Sequence, residues 1–202
     1  MAPVTEDHVQ RDRACRLAKD DPESAAHDAR SIEDPWYRVQ ALSWAARYSE
    51  SERCLALARE ALASSESCQD EYQRAASTAW PLRALIEVGH GDVASEEFPK
   101  TRKRLGRVTP PSSRAEALKL IFRAAFPLGA RARQELAEDL VQLAADDGHW
   151  RVQRAARDVL SMLPSEDAEA AESFALRLDG DRPGKFARAA REPEAPSGHF
   201  FW

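Results

Sequence analysis

The sequence contains little glycine and few cysteines, and both shortages narrow the range of folds. Only 8 of its 202 residues are glycine, whereas β-hairpins and phosphate-binding loops depend on residues that adopt a positive φ at low cost. Cys15, Cys54 and Cys68 are odd in number and show no Cys-x-x-Cys spacing, which argues against a disulfide framework and against a zinc site. We expect each cysteine to be a small buried apolar residue.

Long apolar runs are also missing, and we expect no leader segment. No stretch approaches the roughly 20 apolar residues that cross a bilayer, and the first residues, Met1-Ala-Pro-Val-Thr-Glu-Asp-His, do not resemble a secretory signal. Hydrophobic residues make up 43% and charged residues 31% of the chain, which is typical of an ordered globular protein. We therefore expect a cytoplasmic protein with no membrane partner.

The sequence lacks the common motifs of enzymes. Its five histidines are scattered, and it contains no His-Glu-x-x-His, no Gly-x-Ser-x-Gly and no glycine pattern of a nucleotide-binding loop. Adjacent acids such as Glu96-Glu97 and Asp146-Asp147 are more typical of solvated helix faces than of catalytic pairs. We predict a protein that is not an enzyme and has no catalytic residue, no bound metal and no cofactor.

What the sequence does contain is a repeated segment, which appears when four stretches are aligned on an arginine. Arg38, Arg74, Arg114 and Arg151 are separated by 36, 40 and 37 residues. Apolar residues follow each arginine at steps of three and four, and stretches with a similar pattern lie between the aligned ones. Each repeat is therefore predicted to be a pair of amphipathic helices, and one pair alone buries too little apolar area to be stable without neighbours.

Acidic residues mark the predicted helix starts. Asp34, Asp70 and Asp147 precede three of the aligned stretches, where an aspartate can cap free N–H groups and interact favourably with the helix dipole. The second repeat departs from the pattern, because Pro81 falls in the helix expected over 70–88 and Pro99 in its partner over 92–105. Each proline removes a backbone donor, so we expect a kink or a break there.

Residues 34–42, with Asp-Pro followed by Arg-Val and Ala-Leu, and their echo at residues 151–156, resemble the first helix of HEAT repeats. The spacing lies between tetratricopeptide (TPR) and HEAT repeat lengths. The resemblance covers about residues 22–178 and implies an all-α fold, a right-handed α-solenoid of about four to five stacked antiparallel helix pairs that acts as a binding scaffold. Residues 146–154 also look like the aromatic-Val-Arg-Arg helix starts of bacterial DNA-repair glycosylases built from HEAT-like repeats.

We expect a flexible N-terminus over 1–8, a helical-repeat domain over 9–178 and a C-terminal extension with an aromatic end over 179–202. A short helix is expected over 185–191, followed by a linker-like sequence rich in proline and an aromatic end. Exposed aromatic residues on a free tail would favour aggregation, so the end is expected to dock. It could dock on its own molecule, on a second copy or on a partner.

Tryptophans and the aromatic end supply the candidate contacts with a protein or peptide partner. Trp44 and Trp80 continue apolar helix faces and are expected in the core, whereas tryptophans at helix starts are expected to be partly exposed. The predicted partner-binding residues are Trp36, Trp150, Arg151, Phe200, Phe201 and Trp202.

Charge is distributed unevenly along the chain. Residues 1–99 carry 11 Lys and Arg against 19 Asp and Glu, a balance of −8, and residues 100–202 carry 18 against 15, a balance of +3. This favours a protein partner over wrapped nucleic acid, which needs cations along the whole contact. A nucleic-acid partner for the basic half is kept as the alternative, with a candidate basic patch of Lys100, Arg102, Lys103, Arg104 and Arg107.

Overall fold

The computed structural model describes residues 6–180, 184–192 and 200–201, and the regular secondary structure in these ranges is entirely helical. The predicted all-α class is therefore confirmed. None of the described helices combines the length and the apolar character that crossing a membrane requires. The helices are α1 (Glu6–Leu17), α2 (Pro22–Arg30), α3 (Pro35–Tyr48), α4 (Ser51–Ser65), α5 (Glu71–Ala76), α6 (Ala79–Glu87), α7 (Gly91–Leu105), α8 (Pro111–Ala125), α9 (Ala130–Asp146), α10 (Trp150–Met162), α11 (Pro164–Asp179) and α12 (Lys185–Arg191), with one 3-10 turn (Phe126–Leu128) after α8.

The chain divides into two compact units. Unit 1 extends to Arg104 and includes Phe201, and unit 2 begins at Leu105. The boundary between them falls near the end of α7, inside the basic segment that follows Pro99.

In each unit, one central helix contacts four other helices. In unit 1, α3 contacts α1, α2, α4 and α6, and in unit 2, α10 contacts α8, α9, α11 and α12. The buried stretch of α3 contains three alanines, Ala41, Ala45 and Ala46, and such small side chains let helix axes approach closely. Helix α3 lies between α1 and α6, with contacts to both. Helix α10 in the same way contacts α8 and α12.

Five ion pairs between separate helical segments share a nearly constant sequence separation. Each pair links residues 38 to 40 positions apart, which is about one predicted repeat length. Two of the pairs join α8 to α10 at positions that advance together along both helices, so these two helices run parallel. The pairs are Arg47 with Glu87, Arg104 with Glu66, Arg154 with Glu116, Lys119 with Asp158 and Arg177 with Glu138.

In four helices, the polar side chain at the fourth helical position anchors the loop that precedes the helix. It donates to the carbonyl oxygen six residues earlier, so a loop carbonyl at the helix junction is hydrogen-bonded. At the fourth site the donor is Gln153 and not Arg151, whose guanidinium lies on Trp150; the alignment on Arg151 is therefore two residues out of register with this contact. The donors and acceptors are Arg38 Nε to Ile32 at 2.8 Å, Arg74 Nε to Cys68 at 3.0 Å, Arg114 Nε to Val108 at 3.0 Å and Gln153 Nε2 to Asp147 at 3.1 Å.

We predict that Gln153→Ala lowers the free energy of unfolding of unit 2 by about 1–2 kcal/mol, because it leaves the carbonyl oxygens of Asp147 and of Ala144, in the last turn of α9, without this donor. Gln153 Nε2 also lies 2.7 Å from the carbonyl oxygen of Ala144. Arg151→Ala serves as the control and is expected to change stability by less than about 0.5 kcal/mol, since that side chain is exposed. Urea titration of the two variants measures these costs. A larger cost for Arg151→Ala would show that Arg151, and not Gln153, is the equivalent of the earlier arginines.

The first helix begins earlier than expected. Helix α1 begins at Glu6, inside the segment placed before the repeat domain, and the carboxylate of Asp7 accepts the N–H groups of Glu33 at 3.1 Å and Asp34 at 3.2 Å. These two bonds tie the first turn of α1 to the loop between α2 and α3, so the turn belongs to the folded unit.

The two prolines of the second repeat have different effects. The helix expected over 70–88 is divided into α5 and α6, and Pro81 lies in the first turn of α6, where an N–H would have no helical acceptor. Pro99 lies inside α7, which continues through it without a break.

The short helix expected over 185–191 is present as α12 and packs on α10 and α11. Its Phe186 is buried, and the carboxylate of Asp179 accepts the N–H groups of Gly184 at 2.9 Å and Ala187 at 2.7 Å. This arrangement caps α12 with a charge of the sign that its dipole favours. Residues 184–192 therefore form part of unit 2.

Unit 2 also contains a buried ion pair that the sequence did not suggest. The side chains of Arg133 on α9 and Asp167 in α11 are 9% and 8% exposed, and Arg133 Nε lies 2.6 Å from Asp167 Oδ2. Arg133 also donates to the carbonyl oxygen of Phe126 at 2.9 Å and lies over its ring. Asp167 has non-helical φ and ψ, which marks a break in α11 at the pair.

Candidate functional site

Unit 1 gathers aromatic rings from α3, α5 and α6 into a first cluster. Trp36 stacks on Tyr72, with ring centroids 6.2 Å apart, and meets Trp80 edge to face at 5.3 Å. The N-cap carboxylate of Asp34 accepts the Trp36 backbone N–H at 2.9 Å, which fixes the start of α3. Trp80 is buried, as predicted, while Trp36 and Tyr72 remain half-buried. The cluster therefore presents two rings partly to solvent on a fixed base.

A second cluster lies toward the C-terminal end of α3. Trp44 is buried, as predicted, and its ring lies 6.0 Å from the ring of Tyr48 and 5.2 Å from that of Phe201. The guanidinium of Arg47 lies over both Tyr48 and Phe201, at 5.3 Å and 4.8 Å, and Arg47 Nε is 2.5 Å from Glu87 Oε2. A cation held by a carboxylate thus sits among three aromatic rings, an arrangement favourable for cation–π attraction. We call Trp36, Tyr48 and Tyr72, together with the buried Trp44 and Trp80 that they contact, the aromatic surface of unit 1.

The aromatic end of the chain is only partly described. Phe201 is 2% exposed and belongs to unit 1, whereas Phe200 is half-buried. Trp202, also a predicted partner-binding residue, lies outside the described residues. At least one aromatic side chain of the extension is therefore covered by the chain itself.

Trp150 forms a separate surface feature in unit 2. Its side chain is exposed, and the guanidinium groups of Arg151 and Arg154 lie 5.3 Å and 5.4 Å from its ring centroid. His149 stacks beside it at 6.0 Å and caps α10 through Nδ1, which accepts the Arg151 N–H at 3.3 Å. Trp36 belongs to unit 1 and Trp150 to unit 2.

The predicted basic patch lies at the end of α7 and just beyond it, and at least two of its cations are paired with acids. Lys100 Nζ lies 2.7 Å from Glu97 Oε1, and Arg104 pairs with Glu66. Lys103 and Arg107 are exposed, and Arg102 takes part in further contacts. Local acids therefore neutralise part of the positive charge of the segment.

A serine and a histidine approach one another in unit 1. Ser51 Oγ lies 3.0 Å from His90 Nε2, and the same nitrogen lies 2.9 Å from the carbonyl oxygen of Ser51. A carbonyl oxygen can only accept, so Nε2 carries the proton and acts as a donor. This nitrogen therefore cannot take a proton from the hydroxyl, and the pair links α4 to the start of α7.

The three cysteines are buried and unpaired, as predicted. Burial raises the pKa of Cys15 to about 12 and that of Cys54 to about 11, from 9.0, and it also raises the pKa of Cys68. A thiol with a raised pKa is a poor nucleophile at neutral pH. Within the described residues, acids, histidines and cysteines form no group of three or more that could hold a metal ion.

We predict that these thiols react slowly with a thiol reagent at pH 8. Because the pKa of Cys15 is about 12 and not 9.0, its thiolate fraction falls roughly a thousandfold, and burial further blocks access. Three slow thiols in the native chain and three fast ones in urea are the expected result. A fast thiol in the native chain would contradict the burial, and mass spectrometry would identify it.

Comparisons with protein-family models, with curated proteins and with solved structures returned no match to this chain.

Proposed function

We propose that the chain is a non-catalytic helical-repeat module that binds a protein or peptide partner through the aromatic surface of unit 1. The repeat architecture is a right-handed α-solenoid of about four to five antiparallel helix pairs. Three features support it: side-by-side contacts of alternate helices, ion pairs 38 to 40 residues apart, and the recurring loop anchor at the fourth helical position.

The aromatic surface carries the binding proposal. Trp36 and Tyr72 are half-buried on a rigid base, and Tyr48 is 36% exposed. Large aromatic rings that are held in one orientation gain contact area at low entropic cost and are enriched at protein-binding hot spots. A partner segment laid along α3 would meet these rings in turn.

The absence of catalysis is supported by the chemistry of the nucleophiles. The cysteine thiols are buried with raised pKa values, and His90 donates from the nitrogen that faces Ser51. Between α11 and α12 lies a cavity of about 220 Å³. Its Asp179 is already engaged as the cap of α12.

A peptide-display selection on the immobilised full chain tests the proposal. We expect the enriched peptides to share an aromatic residue and to bind Trp36→Ala or Tyr72→Ala at least about tenfold more weakly, as at a binding hot spot. Trp150→Ala is the matched control and should bind them unchanged. Helical circular dichroism of each variant separates lost contacts from lost folding, and a selection without enrichment would refute the proposal.

A second candidate function is binding of nucleic acid by unit 2, which is favoured by one observation. Trp150 is 59% exposed and flanked by two arginines and a histidine, and exposed aromatic residues among cations stack on unpaired bases. We then expect the affinity for a single-stranded oligonucleotide to fall steeply between roughly 50 and 200 mM salt, because cations that neutralise phosphates release counterions. Trp150→Ala should also weaken it. A flat salt response would exclude this function.

A further inference from the structure

Phe201 occupies a built site in unit 1. Its ring is 2% exposed and meets the Trp44 ring edge to face, at an interplanar angle of 71°. The Arg47 guanidinium lies 4.8 Å from the Phe201 ring centroid. The site therefore gives an aromatic side chain both an apolar wall and a cationic face.

The walls of this site are held by contacts that do not involve Phe201. Glu87 on α6 fixes Arg47 through the 2.5 Å contact, and its other carboxylate oxygen accepts from Arg83 Nε at 2.6 Å. Arg47 also lies over the rings of Trp44 and Tyr48, at 5.6 Å and 5.3 Å. Because helices α3 and α6 preset its orientation, the guanidinium is ready for any aromatic ring that reaches it, and preset sites bind at lower entropic cost.

The occupant comes from a part of the sequence with a different character. Residues 192–198, Glu-Pro-Glu-Ala-Pro-Ser-Gly, have the composition of a linker between α12 and the aromatic end. The site is therefore filled by an aromatic side chain from outside the helical pattern.

We propose that this site is a binding site for an aromatic side chain on an extended segment of a partner protein, and that Phe201 is a competing occupant in cis. The proposal rests on the proposed function and names its ligand class. A tethered occupant acts at an effective concentration of about 1 mM. A partner segment must displace Phe201, so the occupied site lowers the apparent affinity for the partner.

A synthetic peptide of residues 192–202 tests the proposal, with full-length Phe201→Ala as receptor. We expect saturable binding to this variant and binding to the unaltered chain at least about tenfold more weakly, because the cis tail competes. A peptide with cyclohexylalanine in place of Phe201 keeps the shape but loses the π face, so it should bind several-fold more weakly. A peptide with alanine there should not bind measurably.

Receptor variants locate the site. Arg47→Met, in the Phe201→Ala background, should weaken the peptide about as much as the cyclohexylalanine change does. Arg30→Met is the matched control, because Arg30 also forms an ion pair between helices, with Glu60, and it should leave the affinity unchanged. Equal loss in both variants would overturn the assignment of the site.

Three further results would overturn the proposal. Equal peptide binding to Phe201→Ala and to the unaltered chain would remove the competition. A dimer of the unaltered chain that Phe201→Ala dissociates, seen by light scattering, would place the tail on a second copy. If the display-selected peptides bind while the tail peptide binds neither protein, the inference fails and the proposed function stands; if neither kind of peptide binds, the proposed function fails.

Discussion

Arg133→Met is expected to lower the free energy of unfolding of unit 2 by about 3–5 kcal/mol, because it leaves the carboxylate of Asp167 buried without its cation. It also removes the donor to the Phe126 carbonyl oxygen. Methionine keeps most of the packing of the arginine stem, so the loss reports on charge more than on volume. Urea unfolding, with hydrogen exchange of α9 and α11, measures it.

Two variants make this prediction specific. Arg131→Met changes the same residue type two positions earlier, where the side chain is 93% exposed, and should cost less than about 0.5 kcal/mol. The double variant Arg133→Met with Asp167→Asn should be more stable than Arg133→Met alone, since no buried charge remains. If the two methionine variants cost the same, the pair is not the buried link described above.

Trp44→Ala is expected to destabilise unit 1 by about 3–5 kcal/mol, because it removes a large buried ring from the centre of the unit. The same change removes the wall of the Phe201 site and the ring that faces Arg47. Amides of α3 and α4 should therefore exchange faster in hydrogen exchange measured by mass spectrometry.

Trp150→Ala is the control, because it makes the same substitution at an exposed tryptophan. It should cost less than about 1 kcal/mol and leave the exchange of α3 and α4 unchanged. If Trp44→Ala and Trp150→Ala have equal costs, the contrast between a buried and an exposed tryptophan is wrong.

Much of the fold follows from local signals in the sequence. Aspartates at 34 and 70 cap the helices they were expected to cap, each accepting an N–H group of the following turn. The short helix over 185–191 was predicted with the bounds it has. These features depend on residues within one turn of each other, so a sequence pattern is enough to indicate them.

Contacts between distant residues were not predicted. The pairing of Arg133 with Asp167 spans 34 residues, and neither residue stands out, because most such residues lie on solvated helix faces. The equivalence of Gln153 with the earlier arginines was also missed. The alignment used an arginine two residues away because it matched the residue type, whereas a glutamine makes the contact.

The aromatic surface was predicted only in part. Trp36 was expected at a partner contact, and Trp44 and Trp80 in the core, from their places on helix faces. The sequence could not indicate that Arg47 is held by Glu87 or that Phe201 lies on it, since these contacts join residues from separate helices and from the chain end. A regular separation of about 40 between oppositely charged residues was the one signal that could have indicated the first contact.

The five tryptophans offer a direct test of where a partner binds. In a chain labelled with ¹⁵N at the indole nitrogens, each tryptophan gives one resonance, which single Trp→Phe variants assign. On addition of a display-selected peptide, the resonances of Trp36 and Trp80 are expected to shift while that of Trp150 stays in place. A shift confined to Trp150 would place the partner on unit 2 and contradict the assignment of binding to the aromatic surface of unit 1.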